Sequence, residues 1–142
     1  RIFWDMGACT GSVAIEAKQH FPHLKIIAFE KRIACTDIIQ KNAERFSTPG
    51  IEIIIDDFFH LDLDNFETPD AVFIGGHGGR LKELIHLIHQ LNPAARIVTN
   101  AVRESSSQIF VEELNALNYT MSTHTIQLNE HNTIRIHTAE KQ

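Results

Sequence analysis

The sequence is poor in the features that would mark it as anything other than an ordinary globular chain. It has two cysteines in 142 residues, Cys9 and Cys35. They form neither a disulfide framework nor a metal-type spacing, and are read as free thiols of a reducing, cytoplasmic protein. No apolar run approaches the roughly 20 residues that a membrane-spanning helix needs, so no membrane partner is expected. Basic charge is scarce: 13 Lys and Arg against 18 Asp and Glu give a net charge of -5. Such a balance gives no electrostatic reward for lying on a phosphate backbone, which argues against a nucleic-acid partner. Four prolines and seven glycines are too few for a low-complexity linker, and internal repeats are absent.

What the chain does have is alternation. Arg1-Ile-Phe-Trp4 reads as a strand, followed by a helical pattern from Ser12 to His20. Further strand-like runs cover Lys25 to Phe29, Ile51 to Ile55, Ala71 to Ile74 and Arg96 to Ala101, with helical segments between them. Leu81, Leu84, Ile85, Ile88 and Leu91 form one apolar stripe, and Phe110, Leu114 and Leu117 a second, which Asn118 is placed to end. This order predicts an α/β fold with a parallel sheet and right-handed crossovers. Tyr119 to Leu128 and Thr133 to Thr138 flank the turn-like Asn129-Glu-His-Asn132 and predict an antiparallel hairpin instead of another crossover. The length suits one domain, residues 1–142. Because chemistry starts in the loop after the first few residues, we expect that domain to be truncated at its N-terminus or excised from a longer or fused protein.

Chemistry-bearing residues fall at strand ends. Asp5-Met-Gly7-Ala-Cys-Thr-Gly11 joins the first strand to the first helix. Gly7 and Gly11 allow a sharp turn and close approach of backbone to a ligand, and Asp5 offers an acceptor. Cys9 and Ser12 stand where a dinucleotide fingerprint wants glycine, which counts against a nicotinamide cofactor. Glu30 ends the second strand, placed to accept both ribose hydroxyls of an adenosine. Asp57 follows the third, placed for the adenine amino group, with Phe58 beside it as an apolar surface. Three acceptors on the rim where open α/β sheets bind ligands point to an S-adenosyl-L-methionine pocket in a Rossmann-like class I methyltransferase. The competing reading makes Glu30 and Asp57 capping or solvated turn residues and Phe58 core.

Three strings carry a narrower resemblance: Trp4-Asp-Met-Gly-Ala-Cys-Thr-Gly-Ser-Val-Ala-Ile-Glu16, Asp70-Ala-Val-Phe-Ile-Gly-Gly-His-Gly-Gly79, and Arg96-Ile-Val-Thr-Asn-Ala-Val102. Together they resemble the decarboxylating precorrin methyltransferases of cobalamin biosynthesis, over a stretch from the first residue to about Asn118. The resemblance implies methylation of carbon 15 of a precorrin or cobalt-precorrin with loss of carbon dioxide from the ring C acetate. It also implies a tetrapyrrole substrate, a homotetramer, and fusion to or cooperation with a carbon-5 methyltransferase. Gly75 is expected at the cofactor, and Gly76, Gly78 and Gly79 at the substrate, their amides cradling a carboxylate. His77, Asn100 and Glu104 are the catalytic candidates, with His77 a donor or proton carrier. Departures from the family pattern are Cys9 at a usual glycine, His77 where small residues are usual, and Glu104 one place early with Ser105 in its slot. A methyltransferase for another small molecule, or a non-catalytic cofactor-binding subunit, stays open on the residues alone.

No metal is expected. His86 and His89 share a helix face without a third ligand at a convincing spacing. Asp56, Asp57, His60, Asp62 and Asp64 read as a solvated loop.

Overall fold

The computed structural model describes all of residues 1–142. The chain divides into two compact units, residues 1–76 and 77–142. The first contains β1 (Ile2–Met6), α1 (Ser12–His20), β2 (Lys25–Glu30), α2 (Thr36–Arg45), β3 (Ile51–Ile55) and β4 (Ala71–Ile74). Its strands lie in the order β3-β2-β1-β4 and every pairing is parallel. The second contains α3 (Leu81–Leu91), β5 (Arg96–Ala101), α4 (Glu104–Ala116), β6 (Thr120–Asn129) and β7 (Asn132–Glu140). Here β7 pairs antiparallel with both β5 and β6.

Parallel strands covered on both faces need apolar residues on both, and β2 supplies them, being buried from Ile26 through Glu30. Side chains alternate along β1 and β2. Ile26 and Ala28 face a cluster with Ala14, Ile39 and Phe3. The opposite parity builds an aromatic cluster. Phe29 meets Trp4 at 5.1 Å, Phe58 at 5.2 Å and Phe66 at 5.4 Å between ring centroids, all edge-on, the geometry that the ring quadrupole favours. Trp4 is fully buried there, and its Nε1–H finds no hydrogen-bond partner.

In the second unit, α3 buries Leu81, Leu84, Ile85 and Ile88, the stripe expected from their spacing. Its polar face docks on α4: Lys82 Nζ and His86 Nε2 both reach the Glu113 carboxylate, at 2.9 and 2.7 Å. His89 Nδ1 lies 3.2 Å from the Tyr119 hydroxyl, which itself donates to the Pro93 carbonyl. The two histidines thus serve separate helix-docking contacts. Asn118 takes the left-handed conformation, φ 60°, just after α4, where its side chain is among those that tolerate it. On β7, His137 is buried, bridging Ser107 Oγ at 2.7 Å and Thr123 Oγ1 at 2.8 Å. No helix is long and apolar enough to cross a membrane.

Candidate cofactor site at the strand ends

The loop between β1 and α1 is shaped by two glycines and one strained cysteine. Gly7 has φ 73°, and a Cβ there would sit 2.4 Å from the Gly76 carbonyl oxygen and 2.5 Å from its nitrogen. No side chain fits, because the chain leaving β4 runs directly against it. Both segments are pinned: Gly7 N–H donates to the Phe29 carbonyl, and Gly75 N–H to the Met6 carbonyl, each at 2.8 Å. Cys9 also lies in the left-handed region, φ 52°, which costs a residue with a Cβ about 1–2 kcal/mol. The cysteine therefore holds a backbone conformation that glycine would adopt without strain.

Gly11 is the N-cap of α1 and has no side chain with which to cap it. Asp5 does that work from β1: its Oδ2 accepts from Ala14 N–H at 3.1 Å, satisfying one of the first-turn donors that a helix leaves open. Asp5 is 1% exposed. Burial lifts its carboxyl to about 7, with the Ala14 N–H opposing and the Glu30 charge adding to the rise.

Glu30, 4% exposed, ends β2. Its Oε2 accepts from Cys9 N–H at 2.9 Å and its Oε1 from Arg32 N–H at 3.0 Å. The exposed Arg32 guanidinium adds a forked pair, Nε to Oε1 at 3.0 Å and Nη2 to Oε2 at 3.2 Å. Burial disfavours its charge, but the Arg32 side chain and the two amides outweigh burial and hold the carboxyl below its ordinary range. Glu30 thus ties the β1–α1 loop to the end of β2. Two of its four contacts come from an exposed side chain that a ligand with paired hydroxyls can replace without disturbing the amides.

Asp57 is half-buried, and its Oδ1 accepts from Phe59 N–H at 3.0 Å, capping the single turn Phe58–His60. Phe58 is 8% exposed and packs edge-on against both Phe29 and Trp4, so most of its ring belongs to the aromatic cluster. Asp62 caps the following turn through Asp64 N–H. The acidic loop is thereby a pair of self-capped turns.

In the second unit, Gly78 and Gly79 are exposed, as is Gly76 at the end of the first. The half-buried His77 accepts the Gly79 N–H at Nδ1, 3.2 Å, and places Nε2 3.4 Å from Ser106 Oγ. Burial, and then the nearby Arg103 charge, push the imidazole below its usual range. Asn100 is exposed on β5. Glu104, the first residue of α4, is exposed and engaged by Arg135 Nη1 at 2.5 Å. The structure joins His77 to Ser106 and brings the Arg103 charge near enough to act on its ring, residues that the sequence reading passed over, and gives Asn100 and Glu104 no contact with His77.

The family model for the precorrin methyltransferase domain matches residues 1–137. A cobalt-precorrin-6B C(15)-methyltransferase (decarboxylating) of Salmonella typhimurium is 35% identical over 103 residues, covering 72% of this chain and 52% of that protein. The chain thus spans about half the length of that relative. Among solved structures, a precorrin-6Y C5,15-methyltransferase from Geobacter metallireducens superposes with a TM-score of 0.89 at 30% identity, over 99% of this chain and 80% of that one. An O-methyltransferase from Bacillus cereus in complex with SAH superposes with a TM-score of 0.83 at 16% identity, over 99% and 74% of the two chains, a likeness of fold. The fold is the Rossmann-like class I methyltransferase fold, with parallel strands in the first unit and the antiparallel hairpin in the second. The chain belongs to the precorrin methyltransferase domain family.

Proposed function

We propose that this chain is a single methyltransferase module that uses S-adenosylmethionine to methylate carbon 15 of a precorrin or cobalt-precorrin and removes the ring C acetate carboxyl as carbon dioxide. The observation that carries the cofactor assignment is Glu30, a buried, ionised carboxylate at the end of β2, hydrogen-bonded to the amide of the glycine-containing loop. A buried carboxylate with displaceable outer contacts suits a ribose diol, which offers two O–H donors in a fixed spacing. Gly7, Gly11 and Gly75 line the close backbone approach, Asp57 stands at the end of β3 for the adenine amino group, and the exposed edge of Phe58 bounds the ring.

When bound, S-adenosylmethionine supplies an electrophilic sulfonium methyl. The protein's contribution is positioning. The β1–α1 loop fixes the donor, the segment leading into α3 and the end of β5 hold the tetrapyrrole, and exclusion of water leaves the ring carbon as the available nucleophile. In the decarboxylation, the ring system accepts the electron pair. The protein holds the side-chain carboxylates, with the exposed backbone amides of Gly76 and Gly78 as donors; the Gly79 amide expected beside them is already given to His77 Nδ1. Asn100 supplies a polar group near the reacting side chain, and His77 a polar group beside Ser106. Glu104, held by Arg135, orients the start of α4. A carbon-5 methyltransferase, fused or separate, is the expected partner in the same pathway, and the module assembles as a homo-oligomer in the cytoplasm.

Calorimetric titration with S-adenosylhomocysteine tests the cofactor site: the wild type binds, and Glu30→Ala loses most of that affinity. Incubation with S-adenosylmethionine and cobalt-precorrin-6B then yields a product that has gained CH2 and lost CO2 by mass. A wild type that does not bind S-adenosylhomocysteine refutes the cofactor assignment. Binding without that mass change refutes the substrate.

A further inference from the structure

Within residues 77–142 the cations are consistently partnered. Arg80 is held by Glu83, Lys82 by Glu113, Arg96 by Glu140, Arg135 by Glu104, and Lys141 donates to the Leu117 carbonyl. Arg103 is the exception: exposed, at the N-cap of α4, its guanidinium makes no hydrogen bond and no ion pair. Its neighbour Glu104 does not serve it, being taken by Arg135.

Ser106 lies three residues further, on the same side of the first turn of α4. Its hydroxyl has one partner, His77 Nε2 at 3.4 Å. The direction of that contact follows from the other end of the ring. Gly79 N–H donates to Nδ1, so Nδ1 is the acceptor nitrogen and the proton of the neutral imidazole sits on Nε2. His77 therefore donates to Ser106 Oγ, and the Ser106 proton is directed away from the ring. Burial and the Arg103 charge both keep the imidazole neutral, which preserves this polarity. The result is a hydroxyl whose proton is turned outward by His77, three residues along α4 from a guanidinium without an acid, a pair with donors free for a ligand.

We infer that Arg103 and Ser106 form an anchor for a substrate carboxylate, with His77 as the positioning residue that sets the direction of the Ser106 hydroxyl. The inference rests on the proposed tetrapyrrole substrate, whose side chains are carboxylates. The anchored group is one that the product retains. A guanidinium clamp stabilises a carboxylate in the ground state and would oppose its departure as neutral carbon dioxide, whereas a retained carboxylate is bound equally in ground and transition states. Such uniform binding appears in KM and not in kcat.

The test is steady-state kinetics with cobalt-precorrin-6B, and S-adenosylhomocysteine calorimetry, on the wild type, Arg103→Ala, Arg103→Lys and Ser106→Ala. Arg103→Ala raises the tetrapyrrole KM by about tenfold or more, the loss expected for one charge-assisted contact. Its kcat and S-adenosylhomocysteine affinity stay within about twofold to threefold of the wild type. Arg103→Lys recovers part of the KM, and Ser106→Ala shows a smaller rise of the same kind. Methylated and decarboxylated products keep the wild-type ratio. An unchanged KM in Arg103→Ala, beside an active wild type, overturns the anchor alone. A loss confined to S-adenosylhomocysteine affinity overturns it too, by assigning Arg103 to the cofactor carboxylate. A wild type that neither binds nor converts the tetrapyrrole overturns both the anchor and the substrate on which it rests.

Discussion

Gly7→Ala is the substitution whose cost can be worked most directly from the structure. Two independent penalties meet at this position. The backbone sits at φ 73°, and a residue with a Cβ loses about 1–2 kcal/mol there. The new methyl also falls 2.4 to 2.8 Å from the oxygen, nitrogen and Cα of Gly76. Those are backbone atoms, fixed by the neighbouring Gly75 hydrogen bond to β1, so no side-chain rotation relieves the clash, and overpacking of this kind costs about 1–3 kcal/mol more. The sum is about 2–5 kcal/mol, which for a chain of this size lowers the melting temperature by about 6–15 °C. Gly76→Ala is the control: a Cβ at that position meets nothing within 4 Å, and the expected change is below about 0.5 kcal/mol. Thermal or urea unfolding of the wild type and the two variants measures both. A Gly7→Ala protein within about 1 kcal/mol of the wild type would show that the β1 and β4 loops are not packed as described, and the reason given for glycine at that position would fall.

Cys9→Gly tests the strained cysteine: relief of the left-handed conformation offsets the greater freedom that glycine brings to the unfolded chain, so stability holds or rises by up to about 1 kcal/mol in urea unfolding, and a clear loss would mean the cysteine side chain contributes packing that its exposure does not suggest. Asp5→Asn keeps an acceptor for the Ala14 N–H while removing a buried charge. Because the folded-state pKa of Asp5 is raised to about 7 from 3.8, the folded state binds the extra proton between those values, so the wild type loses stability as pH rises from about 4 to about 7. Unfolding curves across that window should show the variant gaining on the wild type with rising pH and remaining ahead at pH 8, and parallel curves would refute the assignment.

The sequence made the regular elements legible because they are local. The strand runs Ile51–Ile55, Ala71–Ile74 and Arg96–Ala101 and the helix Ser12–His20 coincide with the observed elements, since alternation and the 3.6-residue stripe depend on near neighbours. The hairpin was also readable, although its strands run on to Asn129 and Glu140. Glu30 and Asp5 were recognisable as strand-end acceptors, but not their partners. That Asp5 caps α1 through Ala14 follows from the glycine at position 11 leaving the helix uncapped, and that Arg32 forks onto Glu30 was available only as the spacing Glu-x-Arg. Phe58 was ambiguous for a physical reason: an aromatic after a strand serves a ligand or the core equally well in sequence, and only the Trp4 and Phe29 rings decide how much of it is covered. Contacts between residues far apart in the chain, such as His77 with Ser106 or Gly7 with Gly76, carry no local signal at all.

The chemistry of the two units is complementary in one respect that neither set of residues shows alone. In the first, the strand-end side chains proposed for the cofactor are Asp5, Glu30 and Asp57, acceptors that match a ligand carrying a sulfonium, an amine and hydroxyl donors. In the second, the candidates are the reverse: Arg103 without an acid, Ser106 with its proton directed outward, and an imidazole held neutral with its proton on Nε2. A ligand for that set brings acceptors, and the proposed tetrapyrrole, bearing carboxylates, does. The same net charge of -5 that argues against a nucleic-acid backbone is therefore compatible with a polyanionic substrate of small size, because recognition of separate carboxylates needs single placed cations and not a continuous basic surface.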